Sequence, residues 1–155
     1  MVVPEIPTLL VKSGAMIKMD RFTSANRIEF QRLLMRAAMQ LEDHFTKLAA
    51  MNGAPGIIIC DRGTMDPRAY ISDEEFNTVL EEERWNYTTI RDKRYDEVIF
   101  MVTAAKGAEK FYTLQGNVAR HEGLEIAQKL DENTLNGWAQ HPRLNIVPNY
   151  EDESF

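Results

Sequence analysis

Two kinds of apolar run alternate along the chain, one short and continuous, the other long and periodic. Ile57-Ile58-Ile59-Cys60 is continuous and gives way at once to Asp61-Arg62-Gly63. A run so short and β-branched reads as a strand buried on both faces, as in parallel α/β sheets. Val98 to Val102 is a second such run, Leu144 to Val147 a shorter one, and Met1-Val2-Val3 reads as the tail of a strand. Ser24 to Met51 is periodic instead. Ile28, Leu34, Ala38, Leu41, Phe45 and Leu48 fall along one helical face, widened by Phe30, Leu33 and Ala37, and the turn formers Asn52 to Gly56 end it. Pro7 opens a short helix that Gly14 closes. Ser72 and Glu75 form a capping box, so a helix runs from about Asp73 to Arg84 with Phe76, Val79 and Leu80 facing inward. A further short helix is expected over Tyr87 to Lys93. Asn117 to Gln140 is helical by pattern until His141-Pro142 breaks it. Strands alternating with helices give an α/β fold with a mostly parallel sheet, and no linker divides residues 1–155 into more than one domain.

Composition narrows the class. Hydrophobic residues at 44% suffice for one core, and no stretch approaches a membrane span. The net charge of −6 argues against a nucleic-acid partner held by phosphate contacts, but permits a small anionic ligand at a local cluster of arginines. The single cysteine, Cys60, cannot form an intramolecular disulfide, which points to a reducing, cytoplasmic setting. One cysteine and the scattered His44, His121 and His141 make no zinc cluster.

The candidate chemistry lies at the strand ends. In open α/β sheets ligands bind beyond the carboxyl ends of the strands, where Asp61 and Arg62 project. P-loop nucleotide-binding proteins place their Mg²⁺-organising carboxylate after such a strand, although Asp and Gly also end strands for purely structural reasons. The small residues Thr103 to Ala108 after the second run allow close approach of backbone to a ligand. Arg91, Lys93 and Arg94 form the densest basic patch, which reads as a solvated helix face.

Several blocks together carry a resemblance: Val2-Val3-Pro4-Glu5; Ile57 to Gly63 with Asp66 and Ala69-Tyr70; Ala104 to Tyr112; Asn117 to Glu122; and Trp138 with His141-Pro142. In that order they resemble the AAA-like P-loop domain shared by the bacterial NadR kinases and the eukaryotic TRPL translocation defect proteins. The resemblance implies a P-loop NTPase-like three-layer sandwich in which the strand ending at Glu5 lies beside the strand ending at Asp61. It implies Mg²⁺ with ATP or GTP as cofactor and a small-molecule phosphoryl acceptor as partner. By the same resemblance Glu5 is the base that takes the acceptor's proton, the alternative being an acid that complements a helix dipole. Asp61 holds Mg²⁺ or orients the acceptor, Arg62 contacts a phosphate, and Arg120 is a lid arginine facing the transferred phosphoryl group.

The chain departs from the family at one place. None of its residues forms the G-x-x-x-x-G-K-[ST] loop that wraps the β- and γ-phosphates. The resemblance therefore implies a truncated domain that lacks its N-terminal strand and phosphate loop, and with them most triphosphate contacts. It also implies apolar strand edges at 57–60 and 98–102, open to pairing in a homo-oligomer unless the two strands close on each other. Two functions stay open: a Mg²⁺-dependent phosphoryl-transfer domain, or a non-catalytic scaffold or regulatory binding protein derived from it.

Overall fold

Residue Val3 of the first strand is buried beside Cys60 of the second, and this parallel pair is where the fold begins. The computed structural model describes residues 1–112 and 123–149. Strand β1 (Val2–Val3) pairs with β2 (Ile59–Cys60) in the register Val2 to Ile59 and Val3 to Cys60. The Ile59 amide donates to the Met1 carbonyl at 2.8 Å and the Asp61 amide to the Val3 carbonyl at 2.9 Å. Helix α1 (Ile6–Lys12) follows directly, with proline in its first turn and Gly14 at φ +93° after its end. Helix α2 (Ser24–Met51) starts at a Thr23–Asn26 capping box and packs against α1 and β1.

The chain then forms a 3-10 turn over Asp66–Ala69 and helix α3 (Asp73–Glu83). Both halves of the Ser72–Glu75 capping box are present, as the three-residue spacing requires. A π-helical turn over Thr89–Lys93 leads to strand β3 (Val98–Met101), and helix α4 (Leu124–Trp138) leads to β4 (Leu144–Val147). Strands β3 and β4 are parallel, with Val98 opposite Leu144 and Met101 opposite Val147. Met35, Met65, Phe76, Val79, Leu80, Ile90 and Trp138 form the core between α2, α3 and α4. No helix among the described residues is long and apolar enough to cross a membrane.

The mixed α/β character and the parallel pairing follow the sequence. The described strands make two small sheets, β1–β2 and β3–β4, rather than one. Strands β2 and β3 do not close on each other, because the approach to β3 is fixed elsewhere. Arg94 bonds Glu42, Asp43 and the Met39 carbonyl on α2, and the Tyr95 hydroxyl accepts from the Thr64 amide at 2.9 Å, beyond the end of β2. The approach to β3 is thus tied to α2 and to the turn after β2, and the two strands are not paired.

Other expectations change as well. The strand at 57–60 is not buried on both faces, since Ile57 is 78% and Ile59 59% exposed. Only its other face, with Ile58 and half-buried Cys60, turns inward, and no described element covers the face that Val2, Ile57 and Ile59 share. On β3, Ile99 and Met101 are exposed in the same alternating way while Phe100 is buried. The basic patch is not a wet face: Arg91 is 8% exposed and lies 5.0 Å from the Tyr87 ring centre, and Arg94 pairs with buried Glu42. On α2, Leu33 and Leu48 are half exposed, whereas the polar Gln31 and Glu42 are buried. The Thr103–Ala108 loop is tied down from within, because Asp131 takes the Thr103 amide, Glu109 the Gly107 amide, and Gln128 donates to the Ala105 carbonyl.

Candidate functional site

Because β1 and β2 run parallel, the residues after them leave the sheet at the same rim. Glu5 follows β1 and stands at the N-terminal boundary of α1, and Asp61 follows β2 directly. The sequence-derived expectation that both acids meet at one rim is what the geometry shows. Their surroundings differ. Glu5 is 18% exposed, accepts a hydrogen bond from the Thr8 hydroxyl, and lies 3.4 Å from Nε of Arg62. Asp61 is exposed, and its carboxylate takes no hydrogen bond and makes no ion pair with a described side chain.

Arg62 stands between the acids. Its guanidinium approaches Glu5 on one side and Asp66, at 3.8 Å, on the other, with about half of the side chain in solvent. Burial works against its charge, but Asp66, Tyr70, Glu5 and Asp61 more than offset that and raise its pKa. The residue is held at φ +77°, the left-handed region that a side chain with Cβ enters only at a cost.

Asp66 is the residue that sequence reasoning missed, although it stands in one of the resembling blocks. Its side chain is 14% exposed and accepts from the Gly63 amide, and the Trp138 ring packs on Gly63 beside it. Burial pushes its carboxyl above the usual range, while Arg62, the Gly63 amide and Trp138 pull part of that back. The signal was available in the spacing, since an Asp three residues after a glycine at a strand end commonly closes a local turn on that glycine's amide. Gly63 is needed for space rather than for φ. A Cβ there would lie 2.7 Å from the Trp138 ring and 3.2 Å from Tyr95.

Cys60 is no nucleophile. Burial, with Glu42 nearby, pushes its thiol up to about 11, so it stays protonated at neutral pH. His141 is a core histidine: its Nε2 bonds the Tyr95 carbonyl at 3.1 Å and its Nδ1 accepts from the Arg143 amide. Arg120 lies outside the described residues.

For Mg²⁺ the donor set fits in one limited sense. Among the described residues no group of three His, Cys, Asp or Glu side chains could hold a metal alone. Mg²⁺ keeps several waters and commonly takes one or two carboxylates plus substrate phosphates, and the open Asp61 carboxylate suits that arrangement.

No curated protein and no solved structure matches the chain. The model of the AAA domain family matches residues 1–151. A match over nearly the whole chain supports a P-loop NTPase-type domain, in keeping with the parallel strands and the acidic rim at their ends, and the chain belongs to the AAA domain family.

Proposed function

We propose that this chain is a nucleotide-binding domain for Mg²⁺-dependent phosphoryl transfer, of the type found in NadR kinases and TRPL translocation defect proteins. In that reading its strands belong to a P-loop three-layer sandwich, and it acts in the cytoplasm on ATP or GTP and a small-molecule acceptor. The observation that supports it is the meeting of Glu5, Asp61 and Arg62 at the carboxyl rim of a parallel pair, where α/β domains bind ligands.

Glu5 accepts the proton of the acceptor hydroxyl, and its bond from Thr8 and its contact with Arg62 fix the carboxylate in one orientation. Asp61 would hold hydrated Mg²⁺, which would supply charge neutralisation on the phosphates. Arg62, half exposed, contacts a phosphate oxygen, and Arg120 takes the role of a lid arginine that neutralises charge on the transferred phosphoryl group. Asp66 and Trp138 act as positioning residues: they hold the turn at Gly63, and so the direction in which Arg62 leaves the strand.

A second reading, a non-catalytic scaffold or regulatory binding protein, is favoured by one specific observation. The 155 residues contain no glycine-rich Lys-Ser/Thr loop, and its amides and lysine make most contacts to a bound triphosphate. Calorimetric titration with Mg-ATP and Mg-GTP separates the two. Saturable binding that disappears in Asp61→Ala is the expected result. Absence of binding for both nucleotides, or binding that Asp61→Ala leaves unchanged, removes the phosphoryl-transfer reading in favour of the scaffold.

A further inference from the structure

An open cavity of about 390 Å³ lies between the segment Ala69–Ser72, the first turn of α2 and residues Ile126 to Asn133 of α4. Ala69, Ile71 and Leu130 give it an apolar lining, and Arg27, Lys129 and Asn133 give it polar groups. The charges there are unbalanced. Its one carboxylate among the described residues, Glu75, is occupied in the capping box, accepting from the Ser72 amide at 2.8 Å. Among the described residues the Arg27 guanidinium donates only to neutral oxygens, the Phe22 carbonyl at 3.2 Å and the Ser24 hydroxyl at 3.0 Å. Lys129 has no ion pair among the described residues. In a chain of net charge −6 this is a local excess of positive charge over an apolar surface.

We propose that this cleft binds a small organic anion, a carboxylate or phosphate ester on an apolar or planar body. Its volume falls within the range of about 300–1,000 Å³ typical of small-molecule sites. Two cations with no carboxylate partner among the described residues need no described ion pair broken before they accept an anion, and charge-assisted bonds from Arg and Lys fix its orientation. Apolar residues beneath take the rest of the molecule out of water. Tyr70 joins the cleft to the rim: it lines the cavity, and it is among the groups acting on Arg62. On the phosphoryl-transfer reading above, on which this step alone rests, the anion is the acceptor, seated with its hydroxyl toward Glu5.

The test uses amide chemical shifts of the full chain titrated with phenyl phosphate and with benzoate, and with benzamide as the neutral control. Saturable shifts at Ile71, Ser72, Leu130 and Asn133 with the two anions, and none with benzamide, are expected. The pair Arg27→Gln and Lys129→Gln together should weaken binding by about tenfold or more, while Arg27→Lys with Lys129→Arg keeps it within about threefold. Both side chains are exposed, so neither pair threatens folding. Shifts elsewhere, equal binding of benzamide, or no loss in the glutamine pair overturns the proposal. None of these measurements involves Asp61 or nucleotide, so the cleft and the phosphoryl-transfer reading can fail separately.

Discussion

Arg94→Met is the substitution that most directly tests how the loop after β2 is held. The guanidinium bonds the Glu42 carboxylate, Asp43 at 2.7 Å and the Met39 carbonyl at 2.6 Å. The Glu42 side chain is only 7% exposed and has one other donor, the Tyr95 hydroxyl at 3.0 Å. That hydroxyl accepts in turn from the Thr64 amide, so the network reaches from mid-α2 to the turn behind the rim. Methionine keeps much of the apolar stem and removes the charge. Breaking a buried pair from one side costs about 3–5 kcal/mol, and with Arg94 partly exposed we take the lower end, about 3 kcal/mol. The cost should depend on pH. Burial already raises the Glu42 pKa, with Arg94 the largest opposing influence, so removing Arg94 raises it further. A carboxyl with a higher pKa folded than unfolded keeps its proton on folding, so stability falls as pH rises through the window between the two values. The penalty is complete above the folded pKa and fades toward the unfolded value of about 4.3. Urea unfolding followed by the fluorescence of Trp85 and Trp138 at about pH 5 and about pH 8 should therefore show the larger loss at the higher pH. Adding Glu42→Gln should restore about 2 kcal/mol there. A loss independent of pH, or strict additivity of the two substitutions, would refute the buried-pair argument.

Three shorter predictions concern the rim and its supports. Gly63→Ala should destabilise by about 2 kcal/mol, because the new Cβ has nowhere to go but into Trp138 and Tyr95, and the near-ultraviolet circular dichroism should report the displaced indole. Ser72→Ala removes the side-chain cap of α3 and should cost about 1 kcal/mol in urea titrations, without changing the near-ultraviolet spectrum. Arg62→Gly relieves the left-handed backbone while losing a half-exposed ion pair, so its thermal stability should stay within about 1 kcal/mol of the parent while nucleotide affinity falls. A large loss of stability in this last variant would make Arg62 a structural residue.

What was legible in the sequence is what short range decides. The Ser72–Glu75 box lies within one turn, so the start of α3 could be read from a few residues, and Pro7 and Gly14 bracket α1 in the same way. The neighbourhood of Glu5 and Asp61 came from the family resemblance, since residues 56 positions apart carry no local sign of pairing. Long-range choices were hidden. Ile57, Ile58 and Ile59 are identical in type, so nothing in the run says that alternate residues face solvent. Arg94 looked like part of a surface patch because its partner, Glu42, is 52 positions away. The tie between the approach to β3 and the turn after β2 depends on Tyr95 reaching Thr64, a contact that no periodicity encodes.

Arg62 shows why the rim is more than a strand ending in a polar turn. A left-handed residue at that point is most cheaply glycine, and glycine is in fact the next residue, yet its φ is not positive. Placing an arginine there costs of order 1 kcal/mol or more, and the ion pairs it makes are half exposed and contribute less than about 1 kcal/mol each. Folding stability alone therefore gives little reason for the side chain. What the backbone conformation achieves is position: it sets a cation between Glu5 and Asp66 while Asp61, next to it in the chain, is exposed and pairs with no side chain among the described residues. One acid is held by a cation and the other is left open at the same strand ends. That division of roles is what a site needs if one carboxylate is to take a proton and its neighbour is to meet a metal-bound phosphate.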